Sequence, residues 1–379
     1  MPDISVVIPC LNEEETIVSC VKKALEGIAK SGLTGEVVVA DNGSNDASAR
    51  LATGAGARVV HESRKGYGSA YLRGIAESTG RYLVFGDADD TYDFREIPGM
   101  IAPLAQGAQG ADMVLGSRFA GKILPGAMTF SHRYIGNPIL TALLNLFFHT
   151  RVSDGQTGFR AITRAALERL NLKTTGMEFA SEMIVSALRS KLVIREIPIV
   201  YSARVGETKL NSIPDAWRHV RFMLLFSPTW LFLIPGALLF FGGLGALVLS
   251  ALGKLVFFHH TFDIHAMVFF VLACLLGSQI IMLGLYARAF SVREGFVPED
   301  RFLEKVVSGV TLERGILAGM LLFFAGLAGS VYLVAQWIRV DLVMFNEIKL
   351  SLFTALFMII GIQIVFSSFF LSLLKIPRR

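Results

Sequence analysis

Cysteine is scarce in this chain: Cys10, Cys20 and Cys274 are its only three in 379 residues, and no two form a CxxC. A disulfide framework is thereby excluded, and the usage suits a reducing compartment. Cys10 and Cys20 read as small core residues, and Cys274 falls inside an apolar run. No excess of one charge is present either; the net charge is +5, which does not call for a nucleic-acid partner. The opening residues, MPDISVVIPCLNEEE, lack a basic stretch followed by an apolar one. No signal peptide is expected there, so the first domain is expected to stay in the cytosol.

What the chain has in abundance is apolar surface. Its hydrophobic content is 53% and its mean hydropathy +0.54, too apolar for one ordinary soluble globule. The excess is confined to the C-terminal part. The front half alternates short β-branched runs with helical patterns. Strands are predicted at Ile4–Ile8, Glu36–Ala40, Arg58–His61, Tyr82–Phe85 and Met113–Leu115. Helices are predicted near Glu13–Lys30, Asp46–Ala52, Tyr67–Ser78 and Phe94–Leu104. This alternation implies a mostly parallel, Rossmann-like α/β sheet with helices on both faces. Ligands of such sheets gather at the carboxyl ends of the strands. The polar clusters Pro9–Glu15, Asp41–Asp46 and Asp87–Asp93 fall there.

The character changes after Leu210. Asp215–Phe226 places Trp217, Val220 and Leu224 on one helical face and Arg218 and Arg221 on another, as in a helix lying in a membrane interface. A packed soluble helix with a basic edge would carry the same pattern. Four apolar spans follow, near Leu231–Leu252, Ala266–Phe290, Gly315–Ile338 and Leu350–Leu374, each reaching the ~20 residues that cross a bilayer. The expected division is therefore a catalytic domain over 1–212, an interfacial segment over 213–230 and a four-helix transmembrane domain over 231–379. Lys and Arg decide orientation. The loop Val256–His265 has neither, whereas Ala287–Arg314 carries Arg288, Arg293, Arg301, Lys305 and Arg314. The third loop holds Arg339 and Lys349 beside Asp341 and Glu347, and the tail ends in Lys375, Arg378 and Arg379. This bias predicts a multi-pass protein of the cytoplasmic membrane with its catalytic domain, second loop and C-terminus in the cytoplasm. His259, His260 and His265 then lie outside, away from the chemistry.

The sharpest chemical signal is Gly86-Asp87-Ala88-Asp89-Asp90, at the end of the apolar run RYLVF. Carboxylates two residues apart on an extended chain can share a side. Asp87 and Asp89 could so hold Mg²⁺ or Mn²⁺ while a diphosphate fills further octahedral positions. An Asp-rich turn capping a helix would look alike. Pro9, Leu11, Asn12 and Glu14 could border a base or ribose pocket; Glu13 and Glu15 could instead complement a helix dipole. Asp41 could accept from a ribose or base, with Ser44 or Asn45 capping the next helix. Arg64-Lys65-Gly66-Tyr67-Gly68-Ser69-Ala70 has the form of a glycine-rich phosphate cradle at a helix start.

In order, VVIPCLNE, DNGSND, RKGYGSAYLRG, GDADD, GSRF, DGQTGFRAI and GETKL resemble family-2 glycosyltransferases of the dolichyl-phosphate mannose synthase and polyprenyl-phosphate type. The resemblance implies a GT-A fold, a divalent metal and inversion at the anomeric carbon. It implies metal ligation and donor contacts by Asp87 and Asp89, with Asp89 counted among the catalytic residues. It implies a nucleotide-sugar site formed by Pro9, Leu11, Glu13, Glu14, Asp41, Lys65, Asp87, Ala88, Arg204 and Lys209. Leu11 and Thr91 stand where members often carry Tyr and Gln, and Asp90 and Asp93 are the nearby carboxylates that could replace the latter. Arg118 and Arg133 resemble positions that receive a lipid phosphate, where a guanidinium grips two oxygens. Asp154 resembles the candidate catalytic carboxylate; fixing a loop or pairing with Arg160 is its alternative role.

The implied reaction moves a sugar from a nucleotide-sugar, UDP-hexose first and GDP-mannose next, to a polyprenyl or dolichyl phosphate among membrane lipids. A homo-oligomer is left open. A processive polysaccharide synthase would share the front fold, but the chain has no QxxRW. A lipid transporter would need charges along its spans, which are nearly free of them. A catalytically idle binding subunit is the remaining alternative.

Overall fold

The computed structural model describes residues 2–206, 212–257, 260–261, 264–293, 311–339 and 347–374. Lys209, Arg301, Lys305 and the basic tail named above lie outside the described residues. The chain divides into two compact units, Met1–Met223 and Leu224–Arg379, a boundary inside the segment 213–230.

The first unit is built on β1 (Ile4–Cys10), β2 (Gly35–Asp41), β3 (Arg58–His61), β4 (Tyr82–Phe85), β5 (Met113–Ile123), β6 (Arg160–Thr163) and β7 (Ile194–Tyr201). They form one seven-stranded sheet in the order β3-β2-β1-β4-β6-β5-β7. The β1–β2, β1–β4, β2–β3 and β5–β7 pairs are parallel, and β6 runs antiparallel to both β4 and β5. Central strand β1 is a near-continuous apolar run because both its faces are covered. The helices of this unit are α1 (Ile17–Lys30), α2 (Ser48–Gly54), α3 (Tyr67–Glu77), α4 (Ile97–Ile101), α5 (Asn137–Phe148), α6 (Arg164–Glu168), α7 (Phe179–Arg189) and α8 (Ser212–Leu225). On α1 the buried residues Ile17, Cys20, Val21, Ala24, Gly27 and Ile28 recur at helical spacing and face the main core, which includes Val6, Ile8, Val84 and Phe94.

All five predicted strands are present, within a few residues at their ends except β5, which extends to Ile123. Strands β6 and β7 lie outside that prediction. The first has only four residues and begins with a buried arginine. The second mixes Arg195, Glu196 and Pro198 into its pattern, as an edge strand tolerates. Helix α1 starts at Ile17 rather than Glu13. The backbone N–H groups of Asn12, Glu13 and Glu14 donate instead to Ser44 Oγ, Ser48 Oγ and Asp46 Oδ2, at 2.9, 2.8 and 3.2 Å. Ser44 and Asn45 do not cap α2. Asp46 Oδ1 accepts from Ser48 N at 3.0 Å and Glu14 Oε2 from Ala47 N at 2.9 Å, so two carboxylates meet the helix start. The predicted helix Phe94–Leu104 is broken into a 3₁₀ turn, Phe94–Glu96, and the short α4. In α8, His219, Phe222 and Met223 are buried while Trp217 is 58% exposed. His219 Nδ1 lies 2.8 Å from Ser181 Oγ on α7. The face bearing Trp217 is therefore the one turned away from its own unit.

The second unit contains α9 (Ile234–Ala251), a two-stranded ribbon of β8 (Val256–Phe257) and β9 (His260–Thr261), α10 (Ile264–Arg293), α11 (Leu312–Arg339) and α12 (Ile348–Leu374). Four segments, Thr229–Ala251, Ile264–Val292, Leu312–Arg339 and Ile348–Leu374, are long and apolar enough to cross a membrane. Small residues set their packing: a Cβ on Gly277 would strike the backbone of Phe240 and Gly236, and one on Gly319 the Gly361 carbonyl. Gly242 on α9 faces open space. Gly277→Leu is expected to lower thermal stability in detergent by ~1–3 kcal/mol through overpacking, with Gly242→Leu neutral. Circular-dichroism melts of the two variants beside wild type check this.

Candidate active site

Parallel strands β1, β2 and β4 deliver their carboxyl ends to one edge of the sheet, and antiparallel β6 begins at that edge. Pro9–Glu14, Asp41–Asn42, Asp87–Asp89 and Asp154–Arg160 thus come together from four separate stretches of chain. The last loop owes its place to a strand direction that no local pattern announces.

Asp87 accepts from Tyr67 Oη at 2.8 Å. Burial, reinforced by the neighbouring Asp89 carboxylate, pushes its pKa up to about 7. Asp89 is 8% exposed; its Oδ1 accepts from Thr91 Oγ1 at 2.7 Å and its Oδ2 lies 3.1 Å from Arg204 Nη1. The same guanidinium reaches Glu13 Oε1 through Nη2 at 2.6 Å. Arg204 Nε is buried with no hydrogen-bond partner among the described residues. Two carboxylates thus meet one guanidinium, which stands where a cation would be drawn. Among the described residues no three His, Cys, Asp or Glu side chains form a metal cluster. A hard divalent ion here fits Asp87 and Asp89 only if other oxygens complete its shell, the usual condition of Mg²⁺ beside phosphates. Asp90 and Asp93 do not supply them: Asp90 pairs with Lys23 at 2.8 Å and Asp93 with Arg95 at 2.7 Å.

The second strand's loop is tightly tied. Asp41 accepts from Gly43 N and Ser44 N, at 3.3 and 3.2 Å, and lies 3.1 Å from His61 Nδ1. Burial would raise its pKa, but the hydrogen bonds from Ser44, His61 and Gly43 outweigh it and hold the carboxyl below its usual range. Lys65 Nζ donates to the carbonyls of Asn42 and Gly43 at 3.0 and 3.2 Å, lying over this loop. The glycine-rich cradle is not open: Gly66 N donates to Asn42 Oδ1 at 2.8 Å and Ser69 N to the Thr175 carbonyl at 3.1 Å. A Cβ on Gly66 or Gly68 would collide with the carbonyls of Thr175 or Thr174. These glycines serve close backbone packing, so the phosphate-cradle reading is corrected. Leu11 is 36% exposed at the end of β1, while Pro9 lies within that strand and Ala88 is buried.

Asp154 is fully buried. Its Oδ2 accepts from Arg118 Nε at 2.6 Å and its Oδ1 from Arg118 Nη2 at 2.8 Å, a two-point pair; the backbone N–H groups of Arg118 and Gln156 add 3.1 and 3.3 Å bonds. Arg118, expected to grip a phosphate, is itself only 6% exposed and lies over the Tyr201 ring at 5.2 Å. Arg160 is not the partner of Asp154. It donates to the carbonyls of Thr157, Ala180 and Gly155 at 2.8, 2.6 and 3.3 Å, bracing the loop from behind. Arg133 stands apart, on the π-helical turn His132–Gly136, its guanidinium 5.4 Å from the Tyr134 ring and in no ion pair with the described residues. Tyr67, His61 and Tyr201 join the site without being singled out as functional by the sequence, and Thr91, noted there as a departure from the family, joins it by donating to Asp89 two residues before it. Of the first three Tyr67 alone has a signal, its place inside RKGYGS; His61 and Tyr201 touch the site only through the sheet order.

A buried charge left without its partner costs about 3–5 kcal/mol. Arg118→Ala is therefore expected to depress thermal stability sharply, whereas Arg133→Ala should stay within ~0.5 kcal/mol. Melting curves of the detergent-solubilised variants distinguish the two arginines.

Residues 5–170 match the family described as glycosyl transferase family 2, and residues 285–375 match the glycosyltransferase family 2 C-terminal transmembrane region. The low-salt glycan biosynthesis hexosyltransferase Agl6 of Haloferax volcanii is 40% identical over 373 residues, covering 98% of this chain and 89% of that protein. Glycosyltransferase AglJ of the same organism is 29% identical over 294 residues, 75% of this chain and 92% of that one. Its dolichyl-phosphate hexose transferase is 31% identical over 214 residues, 55% of this chain and 87% of its own length. With a GT-A sheet carrying the carboxylates and four apolar helices after it in the sequence, this chain belongs to glycosyltransferase family 2 and is a multi-pass membrane glycosyltransferase.

Proposed function

We propose that the enzyme transfers a hexose, with inversion, from a nucleotide-sugar to a polyprenyl or dolichyl phosphate at the cytoplasmic face of the membrane. A UDP-linked donor is favoured, with GDP-mannose next. The observation that carries this is the desolvated pair Asp87 and Asp89 at the carboxyl edge of the sheet, with Asp89 in an ion pair to Arg204. The relative named a dolichyl-phosphate hexose transferase supports the lipid acceptor.

Asp87 and Asp89 would hold Mg²⁺ or Mn²⁺, which would supply charge neutralisation on the departing diphosphate. Arg204, now on Asp89 and Glu13, would offer its guanidinium to the diphosphate oxygens, where preorganised positive charge favours the leaving group. Lys209 is proposed to act beside it. Asp41, with Pro9, Leu11 and Glu14, borders the nucleoside, and Lys65 closes over the Asp41 loop. On the acceptor side a phosphate is already anionic, so positioning matters more than proton removal. Asp154 has both oxygens engaged by Arg118, so we assign it orientation of the loop that backs the reacting centre; a general base would need an oxygen within reach of a substrate proton. Arg133 takes the lipid phosphate, and Arg118 shapes the wall behind it.

Incubation of the purified protein in detergent with radiolabelled UDP-hexose or GDP-mannose and a polyprenyl phosphate should yield organic-extractable label. Aqueous polymer, or no transfer with any donor, overturns the reading. Asp89→Asn should reduce transfer by more than the ~10–100-fold typical of losing a metal's outer-shell partner.

Mn²⁺ binding without substrates gives an independent check. Asp87 must lose its proton to hold the ion, and its pKa lies at about 7. Affinity measured by electron paramagnetic resonance should therefore rise from pH 6 to pH 8, and Asp87→Asn should flatten that rise. In the same titration Arg204→Gln should bind Mn²⁺ more tightly than wild type, because the guanidinium no longer competes for Asp89.

A further inference from the structure

The surroundings treat Asp87 and Asp89 alike. Each carboxylate has one oxygen taken by a neutral hydroxyl. Asp87 Oδ1 accepts from Tyr67 Oη at 2.8 Å, and Asp87 Oδ2 accepts from no donor among the described residues. Asp89 Oδ1 accepts from Thr91 Oγ1 at 2.7 Å and from Thr91 N at 3.2 Å. Asp89 Oδ2 is the atom that meets Arg204 Nη1, at 3.1 Å. The cation that the structure does place at the pair thus lies on an oxygen that no hydroxyl occupies.

Both hydroxyls are held in place. Tyr67 opens α3, and its ring stands edge-on to Tyr71 with centroids 4.9 Å apart. Tyr71 in turn stacks on Phe179 at 5.3 Å and meets Phe85 edge-on at 5.5 Å, so the Tyr67 ring is backed by a packed aromatic cluster. Thr91 is 2% exposed, and its carbonyl accepts from Ser202 N at 2.9 Å, just beyond the end of β7. On the other flank of Asp87, a Cβ on Gly158 would lie 2.6 Å from Oδ2; the glycine keeps room beside that oxygen. A hydroxyl also differs from a cationic partner, because it orients a carboxylate without neutralising it.

We infer that Tyr67 and Thr91 are positioning residues that make the Asp87–Asp89 pair select a small octahedral cation over Ca²⁺. The inference rests on the metal assignment made under the proposed function. Ca²⁺ gathers about 6–8 oxygens and readily takes both oxygens of one carboxylate. Mg²⁺ and Mn²⁺ hold about six, and Mg²⁺ is served by one or two carboxylates with phosphates and waters filling the rest. For an ion to draw on both oxygens of Asp87, it must displace the hydroxyl of Tyr67, whose ring is fixed by packing. The same holds for Asp89 and the hydroxyl and backbone N–H of Thr91. One oxygen from each carboxylate therefore remains, enough for an octahedral ion and too few for Ca²⁺. Selectivity between such ions turns on ligand number and rigidity, and the two hydroxyls set both without touching the ion.

The test titrates Mn²⁺ alone into the full chain in detergent, follows it by electron paramagnetic resonance, and displaces it with Ca²⁺. Wild type should hold Mn²⁺ in preference to Ca²⁺. Tyr67→Phe should narrow that preference by ~10-fold, the low end of what losing a ligand's hydrogen-bond partner does to metal affinity. Thr91→Val should narrow it less, because the backbone N–H of residue 91 keeps its bond to Asp89 Oδ1, and Thr91→Ser should restore it. Both ions displace the same proton from Asp87, so altered protonation moves the two affinities together and leaves their ratio unchanged. A purely structural role would also weaken both ions equally. A wild-type ratio in Tyr67→Phe therefore overturns the role of Tyr67. The same ratio in Thr91→Val, or its loss in Thr91→Ser, overturns that of Thr91. Wild type that binds both ions equally well overturns the inference and leaves the metal assignment standing, whereas wild type that binds neither ion overturns both. Should circular dichroism show Tyr67→Phe to be unfolded, the Val and Ser variants of Thr91 decide the question.

Discussion

Asp87 and Asp89 leave β4 two residues apart, at a sheet edge where burial leaves their charges poorly screened. Two ionised carboxylates in such a place repel each other, and the surroundings answer in two ways. Asp87 holds its proton toward neutral pH, and Arg204 crosses from the end of β7 to bridge Asp89 and Glu13. Each answer is reversible. On the proposed function, a site that takes up a divalent ion and a diphosphate would benefit from an internal cation that another cation can replace.

The loop of Asp154, assigned to the acceptor side under the proposed function, rests on a different kind of contact. Arg118 and Asp154 form a two-point ion pair sealed from water, with Arg160 bracing the same loop through three carbonyls. Such a pair is costly to break, so it resists the exchange proposed for Arg204. On the proposed function the division is physically sensible: donor phosphates would meet the partly exposed Arg204, while the loop of Asp154 is held by buried contacts. Helix α5 extends that rigidity outward, because Thr141 and Asn145 fasten it to the same loop.

In the C-terminal unit the hydrophobic effect offers no preference for helix against helix over helix against lipid, so close packing must decide. Gly236 with Gly277 and Gly319 with Gly361 allow backbones to approach, and one polar contact, Ser278 Oγ to Gln363 Oε1 at 3.0 Å, joins α10 to α12. Elsewhere the spans expose Leu, Phe and Val broadly, as lipid-facing helices do.

The amino-acid order alone determined the α/β alternation, five of the seven strands of the main sheet, the four spans and the Asp87–Asp89 pair. These are consequences of local periodicity and turn chemistry, which a short stretch of chain carries within itself. Tertiary structure alone decided which charge meets which. Asp154 chose Arg118 over Arg160, Asp90 turned to Lys23, and Arg204 found Glu13 across 191 positions of chain. The antiparallel course of β6 and the closing of the glycine-rich turn by Thr174 and Thr175 belong to the same class. Any of several oppositely charged side chains satisfies electrostatics equally well on paper; only the order of strands in the sheet brings one pair within hydrogen-bond reach and keeps the others apart.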